Sequence, residues 1–292
     1  MPMIVDPSAP HITPPTPAVS PDGWLTAGVD ATHAGVVLGV DYRAATPYAQ
    51  AADVRKVRIM RIDPGQAAVP VRSADTAWAI EGVGAAYDHE APLGVAVVYT
   101  ATPVLADGST GPSSSLAVTV DEPAQPADVW IKSLDEPGLS ARVTVTAWPQ
   151  LQWAARIDSA DVAGSPYPAT SQDVYAAATS EITMDAEGAQ IEVLRRLLTT
   201  PGVRLIQTRL AARRPDQFVL FGDPAEAVDT TPDGARTFTA SVRQVARPDT
   251  TGQPLRLPGW SWDILAATYG SYDAVAATFS TYQQLATNGV LG

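Results

Sequence analysis

The sequence predicts a mainly β chain whose second domain is α+β and whose last stretch is a set of short helices. Three observations carry this expectation. Apolar and polar residues alternate with period two over many short segments, bounded by Gly, Pro and Asp turn signals. One segment, around residue 190, has a helical period instead. Residues 261–290, "SWDILAATYGSYDAVAATFSTYQQLATNGV", nearly repeat themselves every ten positions.

Residues 1–21, "MPMIVDPSAPHITPPTPAVSP", hold seven prolines and no periodic apolar pattern, so they favour extended backbone and build no core. Such a segment is either a disordered tail or an extended arm lying across a neighbouring subunit. Residues 22–121 read as short strands between turns. "GVVLGVDY" (35–42), "VRKVRIMRI" (54–62) and "VPVRS" (69–73) are rich in β-branched residues. Val95, Val97 and Tyr99 share one face of "LGVAVVYTA", and Leu116, Val118 and Val120 one face of "LAVTV". Between them Asp107-Gly108 marks a hairpin turn, because both residues tolerate positive φ. Roughly seven strands in about 100 residues is the density of an immunoglobulin-like sandwich. The run "YDHEAPLGVAVVYTATPVLADGSTGPSSS" resembles the closing strands of fibronectin type III modules. There a Pro-Gly corner precedes a strand with an inward tyrosine, and a Gly- and Ser-rich hairpin follows.

"DEPAQPAD" (121–128) is a proline-punctuated linker, and the second domain is expected over 128–247. In "LSARVTVTAW", Leu139, Ala141, Val143 and Val145 fall on one side and Ser140, Arg142, Thr144 and Thr146 on the other. Further strands are expected near 151–157, 180–184, 203–210, 217–221 and 236–245, with a second hairpin signal at Asp233-Gly234. In "DAEGAQIEVLRRLLTTPG", Ile191, Leu194, Leu197 and Leu198 form one helical stripe. Asp185 suits its N-cap, and Pro201-Gly202 stops it. The expected unit is a β-sheet or barrel with one helix packed on it.

Residues 248–259 form a second linker and residues 260–292 hold the repeat. Ten residues turn a continuous helix through about 1000°, nearly 80° short of three turns, so the aromatics could not hold one face. Broken helices explain the spacing more simply. Ser261, Ser271 and Thr281 each suit an N-cap, with Asp263 and Asp273 near the positive end of the helix dipole. Trp262, Tyr272 and Tyr282 fall in one column, Leu265, Val275 and Leu285 in a second, and Tyr269 and Phe279 in a third. These are positions i, i+3 and i+7, one face of a short helix. In the last unit Gly289 replaces the third-column ring and the acidic residue is gone, which reads as the fraying end of the array. Helices of about eight residues are unstable alone, so the aromatic faces must pack on the body of the chain or on a neighbouring subunit.

Composition narrows the function. The chain has 292 residues, enough for two ordinary domains, and is 46% hydrophobic but only 17% charged, which suits folded material. Its formal charge of -12 argues against nucleic acid and against anionic membrane surfaces. With no cysteine, disulfides and thiolate chemistry are excluded, and three histidines leave little for a metal centre. No apolar run approaches the roughly 18 residues of a membrane helix. The first twenty residues lack Lys and Arg and carry prolines where an apolar run belongs, so no secretory signal is expected and folding is expected in a cytoplasm.

"GWSWDILAATYGSYDAVAATFSTYQQL" resembles the C-terminal signature of minor tail proteins of long-tailed actinobacterial phages, where aromatic-punctuated decads close the chain. The preceding residues resemble the same family. "ARIDSADVAGSPYPATSQDVYAAATSEITM" is followed by "VLRRLLTTPGVRLIQ", then "DQFVLFGDPAEAV", then a strand ending "VRQVARP". The resemblance spans about 128–287. It implies a non-enzymatic, distal-tail-protein-like component of the phage tail tip or baseplate in the virion. Such a protein forms a ring or trimer with its own copies, docks other tail proteins, and has a host-surface glycan as a further partner. The rival reading is a receptor- or carbohydrate-binding adhesin of the tail; a third is an accessory module of a secreted polysaccharide hydrolase.

No catalytic, cofactor-binding or metal-binding residue is assigned. Asp88, His89 and Glu90 are neighbours that would point to opposite faces of a strand, and a structural role at a corner is expected. Asp121-Glu122 and Asp135-Glu136 precede prolines and read as turn residues. "GVGAA" (82–86) has no helix after it, too weak for phosphate binding. The expected interface residues are Trp260, Trp262, Tyr269, Tyr272, Phe279 and Tyr282, with the basic cluster Arg55, Lys56, Arg58 and Arg61. That cluster is either a row of solvated strand residues or a contact with an acidic surface of the next copy, giving register more than affinity.

Overall fold

The computed structural model describes residues 16–44, 46–147, 150–228, 234–250, 252 and 254–291. The first sheet orders β1 (Ala18–Val19), β2 (Leu25–Asp30), β3 (Gly35–Asp41) and a later strand, β7 (Val83–Asp88). Facing it, β4 (Val54–Ile62) carries β5 (Val69–Pro70) and β6 (Ala77–Trp78) on one side. On its other side β4 pairs with β8 (Ala96–Leu105), and β8 with β9 (Ser114–Thr119). This is the expected two-sheet sandwich, its core filled from both inner faces by Leu25, Leu38, Ile59, Tyr99 and their neighbours. Gly108 takes φ 86° in the turn after β8, and the Asp107 carboxylate accepts from the Ser109 amide at 2.9 Å. The sandwich begins before residue 22: β1 lies in the segment expected as an arm, because Ala18 and Val19 pair with Ala27 and Thr26. The rest of that arm, residues 1–15, lies outside the described residues.

The second domain closes on itself. Strands β10 (Asp128–Ser133), β11 (Ser140–Ala147), β14 (Thr179–Ala186), β17 (Arg236–Gln244), β16 (Gln217–Val228) and β15 (Arg204–Gln207) pair in that order, and β15 returns to β10. Six strands leave room only for side chains, and Val129, Val143, Met184, Val219 and Phe238 fill the interior. Helix α1 (Gln190–Thr199) adds Leu194, Leu197 and Leu198 to that core. Its start differs from expectation. Asp185 is still in β14, where its carboxylate accepts from the Thr237 hydroxyl, and Ala189 at the N-cap makes no side-chain bond. The helix ends as expected before Pro201, and the buried Arg204 guanidinium donates to the Leu197 and Thr200 carbonyls there. Asp233, of the second hairpin signal, lies outside the described residues.

Strand β10 was not legible as a strand because both of its faces are covered. Val129 and Ile131 enter the barrel core, while Trp130 joins the sandwich core. Lys132, fully buried beside Trp130, donates to the carbonyls of Ala34 (2.7 Å) and His89 (3.0 Å) in the sandwich.

The C-terminal helices are α2 (Trp262–Thr268), α3 (Tyr272–Thr278) and α4 (Tyr282–Ala286). The hydroxyls of Ser261, Ser271 and Thr281 accept from the amides of Ile264, Ala274 and Gln284, the caps that the repeat predicts. The third unit is helical despite its departures. The array lies against the outer face of the first sheet. A Cβ on Gly39 would run into the side-chain ends of Gln283 and Leu291, so any larger residue there makes these two side chains move. The covered face explains why every residue of β7 is buried.

Candidate interaction surfaces

The basic cluster does not form one stripe. Along β4, Val57, Ile59 and Arg61 face inward while Arg58, Met60 and Ile62 alternate outward, and a bulge between Val54 and Lys56 breaks the count before them. Arg61 is therefore not a surface residue, which corrects the sequence expectation. It is 6% exposed, donates to Asp63 Oδ1 (2.7 Å) and Asp88 Oδ2 (2.9 Å), and its charge is locked in place. Arg55 and Arg58 are exposed, and Lys56 is half-buried with its ammonium 5.3 Å over the Trp78 ring.

The trio Asp88–His89–Glu90 lies where the two domains meet, wholly buried. Burial acts to raise the Asp88 carboxyl, but the Arg61 guanidinium more than offsets it and holds the group below the ordinary carboxylate value. Tyr99 and the Glu90 amide donate to Asp88 as well. Glu90 is clamped between Arg72 (2.6 Å) and Arg247 (2.6 Å), the latter in the chain just after β17. Gln207 donates to the Ala91 carbonyl, and Arg209 pairs with Glu122. His89 stacks on Tyr87, and neither of its ring nitrogens has a hydrogen-bond partner among the described residues. The expected structural role thus belongs to a domain junction more than to a corner.

The aromatic columns of the repeat divide. Trp260 packs edge-on against Phe279 and donates to the Leu285 carbonyl at 2.8 Å; Tyr269 also meets Phe279 edge-on. These three half-buried rings pack on one another inside the array, where Leu265 and Val275 are buried, so part of each is turned away from the surface. The third column turns inward because Tyr269 and Phe279 are extended C-cap residues and not helical ones. The first column is left outside: Tyr272 is 88% and Trp262 69% exposed, with Tyr282 less so. The array thus supplies part of its own surface, its third unit rests on the sandwich, and the exposed rings of the first column remain.

One uncovered surface was missed by the sequence reading, which expected a single strand near 151–157. Strands β12 (Ile157–Ala160) and β13 (Ala169–Gln172) form an isolated two-stranded hairpin. Its ladder runs down through Arg156–Asp173 and Ala154–Ala176 to the Gln152–Thr179 bridge. From that bridge to the turn at Val162 the arm is about 30 Å long at ~3.3 Å per residue. Residues 152–175 are all exposed, among them Trp153, Ile157, Tyr167, Val174 and Tyr175. The sequence signal was present in Gly164-Ser165-Pro166, a turn between two weakly alternating segments; Gly164 takes φ 84°.

Fold and surfaces together define a β-rich, two-domain chain with a projecting hairpin and a capped helical array. Its sequence matches no protein-family model, and no curated protein matches it.

Proposed function

We propose that this chain is a non-enzymatic structural component of a phage tail tip or baseplate, assembling with its own copies around the tail axis and docking neighbouring tail proteins. The observation that carries the assembly role is the hairpin 157–172. A two-stranded hairpin is marginal in water, and this one buries nothing in its own chain while exposing large apolar side chains. Such an element gains its stability from a second surface. Asp158 and Asp161 give the arm acidic groups beyond the Arg156–Asp173 pair, and Arg55 and Arg58 offer a basic surface on the next copy. Exposed Tyr272 is a second contact for neighbouring proteins. The phage setting is supported by the resemblance of residues 128–287 and by their decads.

The test replaces residues 157–172 with Asn-Gly, a two-residue turn that joins the hydrogen-bonded pair Arg156 and Asp173. Sedimentation of the full chain is expected to give fixed multiples of its mass, and the trimmed variant a monomer with unchanged strand-rich circular dichroism. The point variants Tyr167→Asp and Val174→Asp, both at exposed sites, are expected to weaken assembly in the same way. A native chain that stays monomeric at every concentration overturns the proposal, as does a trimmed variant that assembles like the native one.

A further inference from the structure

We propose that the trough between the sandwich edge and the C-terminal helices binds a neutral oligosaccharide, with the rings of Trp78, Tyr282 and Trp262 as its stacking platforms. Two cavities, of about 450 and 210 Å³, meet there and share Leu255, Tyr282 and Ala286. Distant stretches of sequence build the walls: residues 73–78 at the sandwich edge, Thr250, Gly252, Pro254 and Leu255, and the helical array. The larger space falls in the range of small-ligand sites, about 300–1,000 Å³.

The chemistry of the walls selects the ligand. Trp78 stands on the short strand β6 and is 76% exposed; one face of its ring meets the Lys56 ammonium, its register partner, and the other is open. Tyr282 lines both cavities, and Trp262 the smaller one. Beside these rings stand Thr76, which offers a hydroxyl donor, Asp75, a carboxylate acceptor, and Ser73, whose hydroxyl donates to the Arg72 carbonyl and keeps its lone pairs to accept. Neither Lys56 nor Asp75 makes an ion pair among the described residues. A pyranose has the same two-sided character: a flat patch of C–H groups that stacks on an aromatic ring and a rim of hydroxyls that needs such partners. A purely apolar ligand would be enclosed by its pocket, whereas these rings stand in an open trough. In the larger cavity the rings of Trp78 and Tyr282 stand among Lys56, Asp75 and Thr76, whereas the smaller one is an apolar end to the trough, lined by Leu257, Leu265 and Leu285 beside Trp262.

The experiment measures retention of the purified full chain on immobilised neutral oligosaccharides of hexoses, pentoses and N-acetylhexosamines. At least one class is expected to bind, and Trp78→Ala and Trp262→Ala, both at exposed positions, are each expected to weaken that binding about tenfold or more. Tyr167→Ala, on the distant hairpin, is expected to leave it unchanged. Binding by the hairpin-trimmed variant separates this proposal from the assembly reading, since sugar retention does not require oligomers. The proposal is overturned if no oligosaccharide is retained, or if both trough variants bind as the native chain does. It is also overturned if those variants alter only the oligomeric mass, which would make the trough a seat for a second copy.

Discussion

Removing the charge of Glu90 tests the junction that holds the two domains as one block. Its carboxylate is 1% exposed and sits within 2.6 Å of both Arg72 and Arg247. In Glu90→Gln the shape is kept, but two guanidiniums lose their counter-charge and one now faces an amide N–H₂. Breaking a buried pair from one side costs about 3–5 kcal/mol, because the remaining cation stays desolvated. Arg247 is one-quarter exposed, so water screens its share and the lower end, roughly 3 kcal/mol, is expected. Against a typical total of about 5–15 kcal/mol this is a large loss. Urea unfolding followed by both circular dichroism and tryptophan fluorescence reads it as a lower midpoint. The second substitution Arg247→Met, made on top of Glu90→Gln, is expected to recover part of the loss by removing one orphaned cation. A Glu90→Gln midpoint equal to that of the native chain refutes the reasoning.

Three further outcomes follow from the same structure. His89 is faced by Lys132 from β10, by Arg72, and by its neighbours Asp88, Glu90 and Tyr87; burial pushes its imidazole down from 6.5 to about 4. The folded state therefore resists the proton, so the contribution of His89 to stability is fully present above pH 6.5 and is lost as the pH drops towards 4, by roughly 3 kcal/mol. Lys132, pushed down to about 7, acts in a separate window between 10.5 and 7, and the depressed carboxyls of Asp30 and Asp88 act below 3.8. His89→Phe keeps the stack on Tyr87, removes two unpartnered nitrogens, and is expected to flatten the limb between pH 6.5 and 4 in unfolding titrations. Ser271→Ala removes the α3 cap and is expected to cost about 1 kcal/mol locally, read as faster hydrogen exchange within Tyr272–Thr278. Gly39→Val drives side-chain atoms into Gln283 and Leu291, and is expected to cost about 1–3 kcal/mol and to open residues 282–291 to limited proteolysis.

Where one face of an element is buried and the other is wet, the fold was legible. Strands β8, β9 and β11 alternate cleanly in burial, as their residues alternate in polarity. The caps of the decads were legible too, since a serine or threonine hydroxyl acts over three residues of local chain. Strand β10 was not, because a strand covered on both sides loses its alternation, and Lys132 in its middle looks like a solvated residue until a sandwich carbonyl is placed over it. Arg61 failed for a related reason: its partner Asp88 is 27 residues away and meets it only across the two sheets. The aromatic columns misled because the helices stop one residue before Tyr269 and Phe279, so a 100° step no longer sets their direction. The hairpin was hidden by having no core at all, since period-two reading depends on a buried face.

The most direct measurement is the hydrogen exchange of the hairpin amides in the purified full chain at high and low concentration. If a second copy covers the arm, amides of residues 157–172 slow in the concentrated sample, while those of α1 stay unchanged. Equal, fast exchange along the whole hairpin in a sample that sedimentation shows to be oligomeric would contradict its docking role.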